Sequence, residues 1–316
     1  MMDVMIPFSD KYYSQFIDVS LSNRCILHCP KCPRTYMDEA QWKNHADISL
    51  ENLEKILKTF KNVRFCGKYG DPLYHPQLNE VIELVRKYNN NVLIHTNGSG
   101  KSRKWWEGIF DRCKGTSIHW LFSMDGLPEE SYMYRIGQDS ENVWEIMKYG
   151  ASLNLNISWQ YIVFSYNENN ISEAEAMANE NGIEFVTIQS ARWEVGNDLY
   201  KPTKMFREHP NKPFSGKIYP KCLQRNVLPL YFSLQGYFLP CVINDVKYKM
   251  EELPELIQNK FHIDNVSDIK KEILETDEWK NFYDMLYNHP ENAPTHCKKM
   301  CTIDWEHRDR FYDRFY

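Results

Sequence analysis

The sequence predicts an α/β fold built on a parallel sheet with helical crossovers, either an open doubly wound layer or an incomplete barrel. Three observations carry this. Short apolar runs bounded by turn residues alternate with amphipathic stretches six times through the first two thirds of the chain. Each crossover is long enough for a helix, which parallel neighbours require. Hydrophobic residues make up 42 % of 316, enough core for one large domain, or one large and one small.

Taken in order, QFIDVSLS (15–22) reads as a strand. SLENLEKILKTF (49–60) reads as a helix with Ser49 as N-cap, and NVRFCG (62–67) as a short buried strand. HPQLNEVIELVRKY (75–88) is a helix with Pro76 in its first turn, and NVLIHTNG (91–98) a strand. Helix 102–113, strand 117–126, helix 140–152 and strand 156–165 follow; helix 170–182, closed by Gly182, leads to the sixth strand, IEFVTIQS (183–190). In such folds active sites lie at the C-terminal ends of the strands.

After residue 191 the pattern changes. A polar stretch with four prolines reads as a linker, and VLPLYFSLQGYFLPCVI (227–243) as a β-hairpin turning at Gln235-Gly236. A helical region spans 266–286. The tail, WEHRDRFYDRFY, reads as a helix packing its aromatics on the body, or as a lid or self-association surface. There is no internal repeat.

Lys+Arg is 38 against Asp+Glu 43, a net charge of -5, so neither nucleic acid nor an anionic membrane is expected as partner. MMDVMIPFSDKYY has no basic start followed by an apolar run, and the most apolar window is broken by prolines, so neither a signal peptide nor a membrane span is expected. The expected setting is a reducing cytoplasm, where nine cysteines are metal ligands or catalytic groups sooner than disulfides.

Three of them, Cys25, Cys29 and Cys32, form C-x3-C-x2-C directly after the first strand. Three thiolates on one centre leave a coordination position open. A structural zinc site normally closes with four ligands, whereas an iron–sulfur cubane on three thiolates leaves one iron for a small ligand. Idle exposed thiols would oxidise.

This motif at this place resembles the radical S-adenosylmethionine (radical SAM) superfamily. The resemblance implies a partial (β/α)6 TIM-like barrel over 1–195 and a [4Fe-4S] cluster whose free iron is chelated by S-adenosylmethionine. Reductive cleavage would then give a 5′-deoxyadenosyl radical that takes a hydrogen atom from substrate. FCGKYGDPLYHP (65–76) resembles the family's Gly-Glu-Pro stretch, with Gly70 and the shorter acid Asp71 for the amino group. HTNGS (95–99) resembles Thr-Asn-Gly, bringing in Asn97, and FSMDG (122–126) resembles Ser-x-Asp-Gly, with Ser123 and Asp125 for the ribose or methionine part. Arg135 resembles an arginine that pairs with the methionine carboxylate, a contact guanidinium makes well. Lys31 departs from the family, which often has an aromatic residue there to touch adenine.

The late cysteines, Cys222, Cys241, Cys297 and Cys301, bracket the hairpin and a helix. Four thiolates fit zinc or a second cluster. Their placement resembles the twitch domain, the shorter relative of SPASM. This implies a small α+β domain over 221–316, after a linker at 196–220, holding an auxiliary [4Fe-4S] cluster for electron transfer or structure. Cys66 and Cys113 are expected in the core, Cys66 alternatively as a thiol near the site.

The resemblance thus implies two [4Fe-4S] clusters, S-adenosylmethionine and a reductant such as flavodoxin or ferredoxin. The cysteine spacing looks most like dehydrogenases and dehydratases of sugars and aminocyclitols. Only about 15 residues precede the first strand, so no leader-binding domain is expected, which favours a small polar substrate over a peptide or protein side chain. Oxidation would need a base, and Arg192 or Glu194, after the sixth strand beside Gln189, are the candidates. A non-enzymatic alternative is an iron–sulfur electron carrier or metal scaffold.

Overall fold

The structure is a computed structural model that describes residues 17–36, 46–190, 193, 198–205, 214–220, 222 and 230–301. Strand β1 (Ile17–Val19) leads through the cysteine loop into a single turn, α1 (Pro33–Tyr36). The units α2 (Leu50–Thr59) with β2 (Asn62–Phe65), and α3 (Leu78–Tyr88) with β3 (Asn91–Thr96), come next. They are followed by α4 (Arg103–Cys113) with β4 (Ser117–Ser123), α5 (Ser140–Ser152) with β5 (Asn156–Ile162), and α6 (Ile171–Glu180) with β6 (Glu184–Ile188). Serine caps start two of the helices: Ser49 Oγ accepts from Asn52 N at 3.2 Å and Ser102 Oγ from Trp105 N at 3.3 Å.

The strand order decides between the two forms left open by the sequence. It runs β6-β5-β4-β3-β2-β1 without reversal, every neighbour parallel. A doubly wound sheet reverses its order at a switch point; here every crossover steps the same way and returns its helix to the same face. That face is apolar. Phe65, Ile94, Trp120, Phe122 and Trp159 meet Leu53, Val81, Trp106, Phe110 and Met147 in one core.

Residues of the opposite register face the other side, the concave side of a partial barrel. They include Asp18, Arg64, His95, His119, Ser123, Ser158 and Gln160, so this interior is polar. An Arg64–Asp18 ion pair joins β2 to β1. His119 Nε2 lies 2.5 Å from Ser158 Oγ, which donates to Glu184 at 2.9 Å.

The hairpin is β7 (Leu230–Phe232) and β8 (Phe238–Leu239). It turns at Gln235-Gly236 as expected, with Gly236 at φ 86° and its N–H donating to Ser233 O at 2.9 Å. Strand β7 lies parallel beside β1, so the hairpin extends the barrel sheet to eight strands. The helical region expected at 266–286 is interrupted: a π-turn over Lys270–Leu274 precedes α8 (Asp277–Asn288), after the short α7 (Lys247–Met250) and before α9 (Thr295–Met300). Among the described residues no helix is long and apolar enough to cross a membrane. Residues 302–316, which hold the aromatic tail, lie outside the described residues.

Candidate functional site

The cysteine loop is held from inside. Arg34, on α1, donates to the carbonyls of Cys25 at 3.0 Å and Leu27 at 2.5 Å. Cys32 N and Thr35 Oγ1 both donate to Cys29 O, at 3.0 and 2.9 Å. These bonds curl the segment so that the three thiols are half-buried and unbridged. Burial pushes Cys25 up to about 12, helped by Asp71, and burial also raises Cys29, against the Arg135 guanidinium and with Cys32 beside it. Thiols crowded in this way ionise when bound cationic iron supplies the missing charge.

The second strand's end is laid against this loop. A Cβ added to Gly70 would stand 2.2 Å from Ser22 O, and Asp71 N donates to Arg24 O at 2.8 Å. The Asp71 carboxylate turns inward. Its Oδ1 accepts from Leu73 N at 3.0 Å and Thr96 Oγ1 at 2.8 Å; its Oδ2 accepts from Asn97 N at 2.7 Å and Asn97 Nδ2 at 2.6 Å. Four donors from the chain fill a carboxylate. Asp71 therefore clamps the end of β2 to the end of β3.

The ends of β3 and β4 are joined by Gln138, a residue that no sequence motif singled out. Its Nε2 donates to Asn97 O at 2.7 Å and Ser123 O at 3.0 Å, and its Oε1 accepts from Ser131 Oγ at 2.6 Å. Ser131 Oγ in turn accepts from Asp125 N at 2.8 Å. Arg135 Nε lies 2.8 Å from Asp125 Oδ2, the Asp125 side chain buried and the Arg135 side chain 12 % exposed, and the guanidinium is also within electrostatic reach of Cys29 and Asp71. Burial raises the Asp125 carboxyl, with Arg135 pulling the other way. His28 N donates to Ile136 O at 2.9 Å, tying the arginine's loop to the cysteine loop. The structure thus gathers Cys25, Cys29, Gly70, Asp71, Asn97, Ser123, Asp125 and Arg135 at one end of the barrel.

Below them runs a polar chain across four strands. Cys66 Sγ lies 3.4 Å from His95 Nδ1, His95 Nε2 lies 2.7 Å from Ser123 Oγ, and Gln160 Nε2 donates to Ser123 Oγ at 3.3 Å. Burial, with Arg64 and Arg135 nearby, holds His95 neutral down to about 3. Cys66 is therefore half-buried on the polar interior and not in the apolar core, because the register that turns Phe65 to the helices turns Cys66 inward. Cys113 is core, as expected.

Lys31, where an aromatic residue was the family pattern, makes a largely buried ion pair with Asp198 at 2.7 Å and ties the cysteine loop to the segment after β6. Arg192 and Glu194 lie outside the described residues.

The four late cysteines converge. Cys222, Cys241, Cys297 and Cys301 line one cavity with Ile218, Pro240 and His296, around roughly 350 Å³ of empty space that includes open solvent. Cys297 on α9 and Cys301, its C-cap, lie one turn apart, with Cys301 N donating to Cys297 O at 2.9 Å. Burial and the neighbouring thiols raise Cys222 and Cys297, and burial brings Cys241 to about 11. Lys68 Nζ donates to Val242 O at 3.3 Å and Asp245 O at 2.7 Å, linking this region to the glycine loop. Among the described residues no three His, Cys, Asp or Glu side chains are grouped to hold a single metal ion. Cysteine thiolates are the donors that zinc and an iron–sulfur cluster both take, so the residues of each set fit either group.

No family model matches the chain. A curated relative, the tungsten-containing aldehyde ferredoxin oxidoreductase cofactor-modifying protein of Pyrococcus furiosus, is 22 % identical over 142 residues, 43 % of this chain and 39 % of that protein. Among solved structures, SuiB of Streptococcus suis bound to S-adenosylmethionine superposes with a TM-score of 0.54 at 14 % identity, over 74 % of this chain and 61 % of SuiB. SuiB bound to its precursor peptide SuiA gives 0.55 at 14 % identity, over 88 % of this chain and 66 % of SuiB. The anSMEcpe structure with bound AdoMet gives 0.54 at 15 % identity, over 90 % of this chain and 89 % of anSMEcpe. The chain thus spans well under half of the curated relative and less than two thirds of SuiB in the first match. At these identities the shared property is the fold.

Proposed function

We propose, on the premise that this chain carries the radical SAM fold, that it is a radical S-adenosylmethionine enzyme. The observation that carries the reading is the three-thiol loop at one barrel end, packed against the Gly70, Asn97, Ser123 and Arg135 segments. A four-iron cluster there, once reduced, would supply the one electron that breaks the C–S bond of bound S-adenosylmethionine, with methionine leaving and the 5′-deoxyadenosyl radical available to take a hydrogen atom from substrate.

Cys25, Cys29 and Cys32 would hold that cluster. The Gly70 backbone would hold the amino group, with Asp71 fixing where Gly70 stands and not binding directly. Arg135 meets Asp125 through Nε, the nitrogen outside the terminal pair used in bidentate contacts, so it is suited to receive the methionine carboxylate as well. Ser123 and Asp125 would face the ribose. Cys222, Cys241, Cys297 and Cys301 would hold an auxiliary four-iron cluster with no open iron, in a twitch-like region. A flavodoxin or ferredoxin in a reducing cytoplasm would supply electrons. Glu194 or Arg192 would take a substrate proton if the outcome is oxidation.

For the substrate we favour a peptide or protein side chain over the sugar or aminocyclitol expected from cysteine spacing. SuiB with its precursor peptide and anSMEcpe with the Cp18Cys peptide share the fold over 88 % and 90 % of this chain. The polar interior, with uncharged His95, Ser123 and Gln160, suits a neutral amide backbone.

Anaerobic reconstitution tests the reading, with iron counted per chain for the parent and for Cys25→Ala/Cys29→Ala/Cys32→Ala. About eight irons falling to about four is expected for two four-iron clusters. Dithionite and S-adenosylmethionine should yield 5′-deoxyadenosine from the parent alone. A mixed synthetic peptide pool should raise that yield, whereas a response to sugars and aminocyclitols alone would restore the small-molecule substrate. Zinc in place of iron, or a loaded parent that makes no 5′-deoxyadenosine, would leave the electron-carrier or metal-scaffold reading.

A further inference from the structure

Asn97 was singled out as a cofactor contact, yet each of its polar groups is engaged within the chain. Its N–H donates to Asp71 Oδ2 at 2.7 Å and its C=O accepts from Gln138 Nε2 at 2.7 Å. Its Oδ1 accepts from Ser99 N at 2.9 Å, and its Nδ2 donates to Asp71 Oδ2 at 2.6 Å. The residue is 5 % exposed. These partners fix the amide's orientation, because a carboxylate can only accept and a backbone N–H can only donate. One hydrogen of Nδ2 remains, and it faces Cys25 Sγ at 3.5 Å. One amide group thus bridges a buried carboxylate and the first thiol of the C-x3-C-x2-C loop.

We propose that Asn97 is a positioning residue that, aimed by Asp71, donates an N–H···S hydrogen bond to the Cys25 thiolate and raises the reduction potential of the cluster held there. The inference rests on the cluster reading above. A donor on a cluster thiolate draws electron density from sulfur and favours the reduced, more negative cluster. In a low-dielectric pocket that bond is stronger than it would be in water. The ordering matters: Asp71 sits in the glycine loop after β2, Asn97 just past β3 and Cys25 in the loop after β1. Three strand ends must be in register for the bond to exist, which accounts for a carboxylate spent wholly on internal donors.

The test is a redox titration of the anaerobically reconstituted full chain without S-adenosylmethionine, followed by electron paramagnetic resonance. The relevant component is the one missing from Cys25→Ala/Cys29→Ala/Cys32→Ala. Asn97→Ala and Asn97→Asp remove the N–H, the second keeping an acceptor for Ser99 N. Thr96→Val removes a neighbouring bond to Asp71 and leaves the N–H in place. At the parent's midpoint, the reduced-to-oxidised ratio should fall about tenfold in both Asn97 variants, a shift of about 59 mV for one electron. Thr96→Val should stay at the parent value.

A potential unchanged in fully loaded Asn97→Ala overturns the inference; if S-adenosylmethionine binding weakens at the same time, Asn97 belongs to the cofactor instead. An equal shift in Thr96→Val also overturns it, since packing alone would then be the cause. So does failure of both Asn97 variants to take up the cluster, which would make the residue a builder of the site. A parent without iron sinks the cluster reading itself and is seen before any titration begins.

Discussion

Gly70 and Ser22 are in backbone contact so close that a Cβ on Gly70 would stand 2.2 Å from the Ser22 carbonyl oxygen and 2.6 Å from the Asn23 carbonyl carbon. The obstacles are main-chain atoms of the segment entering the cysteine loop and cannot rotate away. Gly70→Ala should therefore push the two loops apart, lower the melting temperature and cut iron uptake by the first cluster to well under half. Gly108, in the middle of α4, is its control: nothing lies within 4 Å of an added Cβ. Gly108→Ala should stabilise the chain by roughly 0.5–1 kcal/mol through helix propensity. Thermal unfolding of both variants checks the pair, and equal behaviour would mean that the Gly70 contact is not tight in solution.

The Arg64–Asp18 pair is buried, with side chains 8 % and 3 % exposed, between the first two strands. Removing one partner leaves the other charge inside without its counterion, which costs roughly 3–5 kcal/mol. Arg64→Met should show that loss in a denaturant titration, and Asp18→Asn/Arg64→Met should recover most of it. A double variant no better than the single one would mean that Asp18 is not the group made unstable.

His95 gives a pH dependence whose sign follows from its environment. Burial first, then Arg64 and Arg135, lower its value from 6.5 to about 3. Below 6.5 the unfolded chain takes up a proton that the folded chain refuses, so this residue's contribution falls as pH drops from 6.5 toward 3. His119 and His296, lowered to about 4, act in the same direction. The buried carboxyls Asp18, Asp71, Asp125 and Asp245, all raised by burial, act in the opposite direction. The measurement is therefore a difference: unfolding free energy against pH for the parent minus that for His95→Gln. The parent should lose more stability on acidification; parallel curves would place His95 in contact with water.

What could be read from the sequence divides along physical lines. Strand and helix positions came from local periodicity, and the Ser49 cap and the Gly236 turn from local chemistry. Through the six strand–helix units and the hairpin they are present within a few residues, because short-range hydrogen bonds decide them. The C-x3-C-x2-C loop was legible because its spacing is itself the signal. Gln138 was not, since a glutamine becomes a hub only when Asn97, Ser123 and Ser131 come to it from three segments. Asp71 was read by its motif as a cofactor ligand. Its four internal donors come from beside it and from β3's end, pairings that only the sheet register creates. Lys31's partner Asp198 lies 167 positions away, beyond any local pattern. The half-buried Cys66 was expected in the core first and near the site only as the alternative, because a single strand does not reveal which of its faces is the polar one.

The auxiliary cysteines give the last prediction. Cys241 follows β8, Cys297 and Cys301 lie on α9 and at its C-cap, and Tyr219 N donates to Cys301 O at 2.7 Å beside Cys222, so three chain segments close on one cavity. A bound cluster would cross-link them, and binding to the folded state alone stabilises it. Cys297→Ser/Cys301→Ser should lower iron to about four per chain, as one remaining four-iron cluster requires. It should also lower the melting temperature of the loaded protein while leaving the first cluster's resonance signal in place. The two sites are joined through Lys68 and the Val242 and Asp245 carbonyls, not through shared thiols. The variant should therefore still form 5′-deoxyadenosine from S-adenosylmethionine under dithionite, yet fail to turn over substrate. Loss of 5′-deoxyadenosine with the first signal intact would mean that electrons reach the first cluster through the second. Four irons retained alongside lost zinc would identify the cavity as a zinc site.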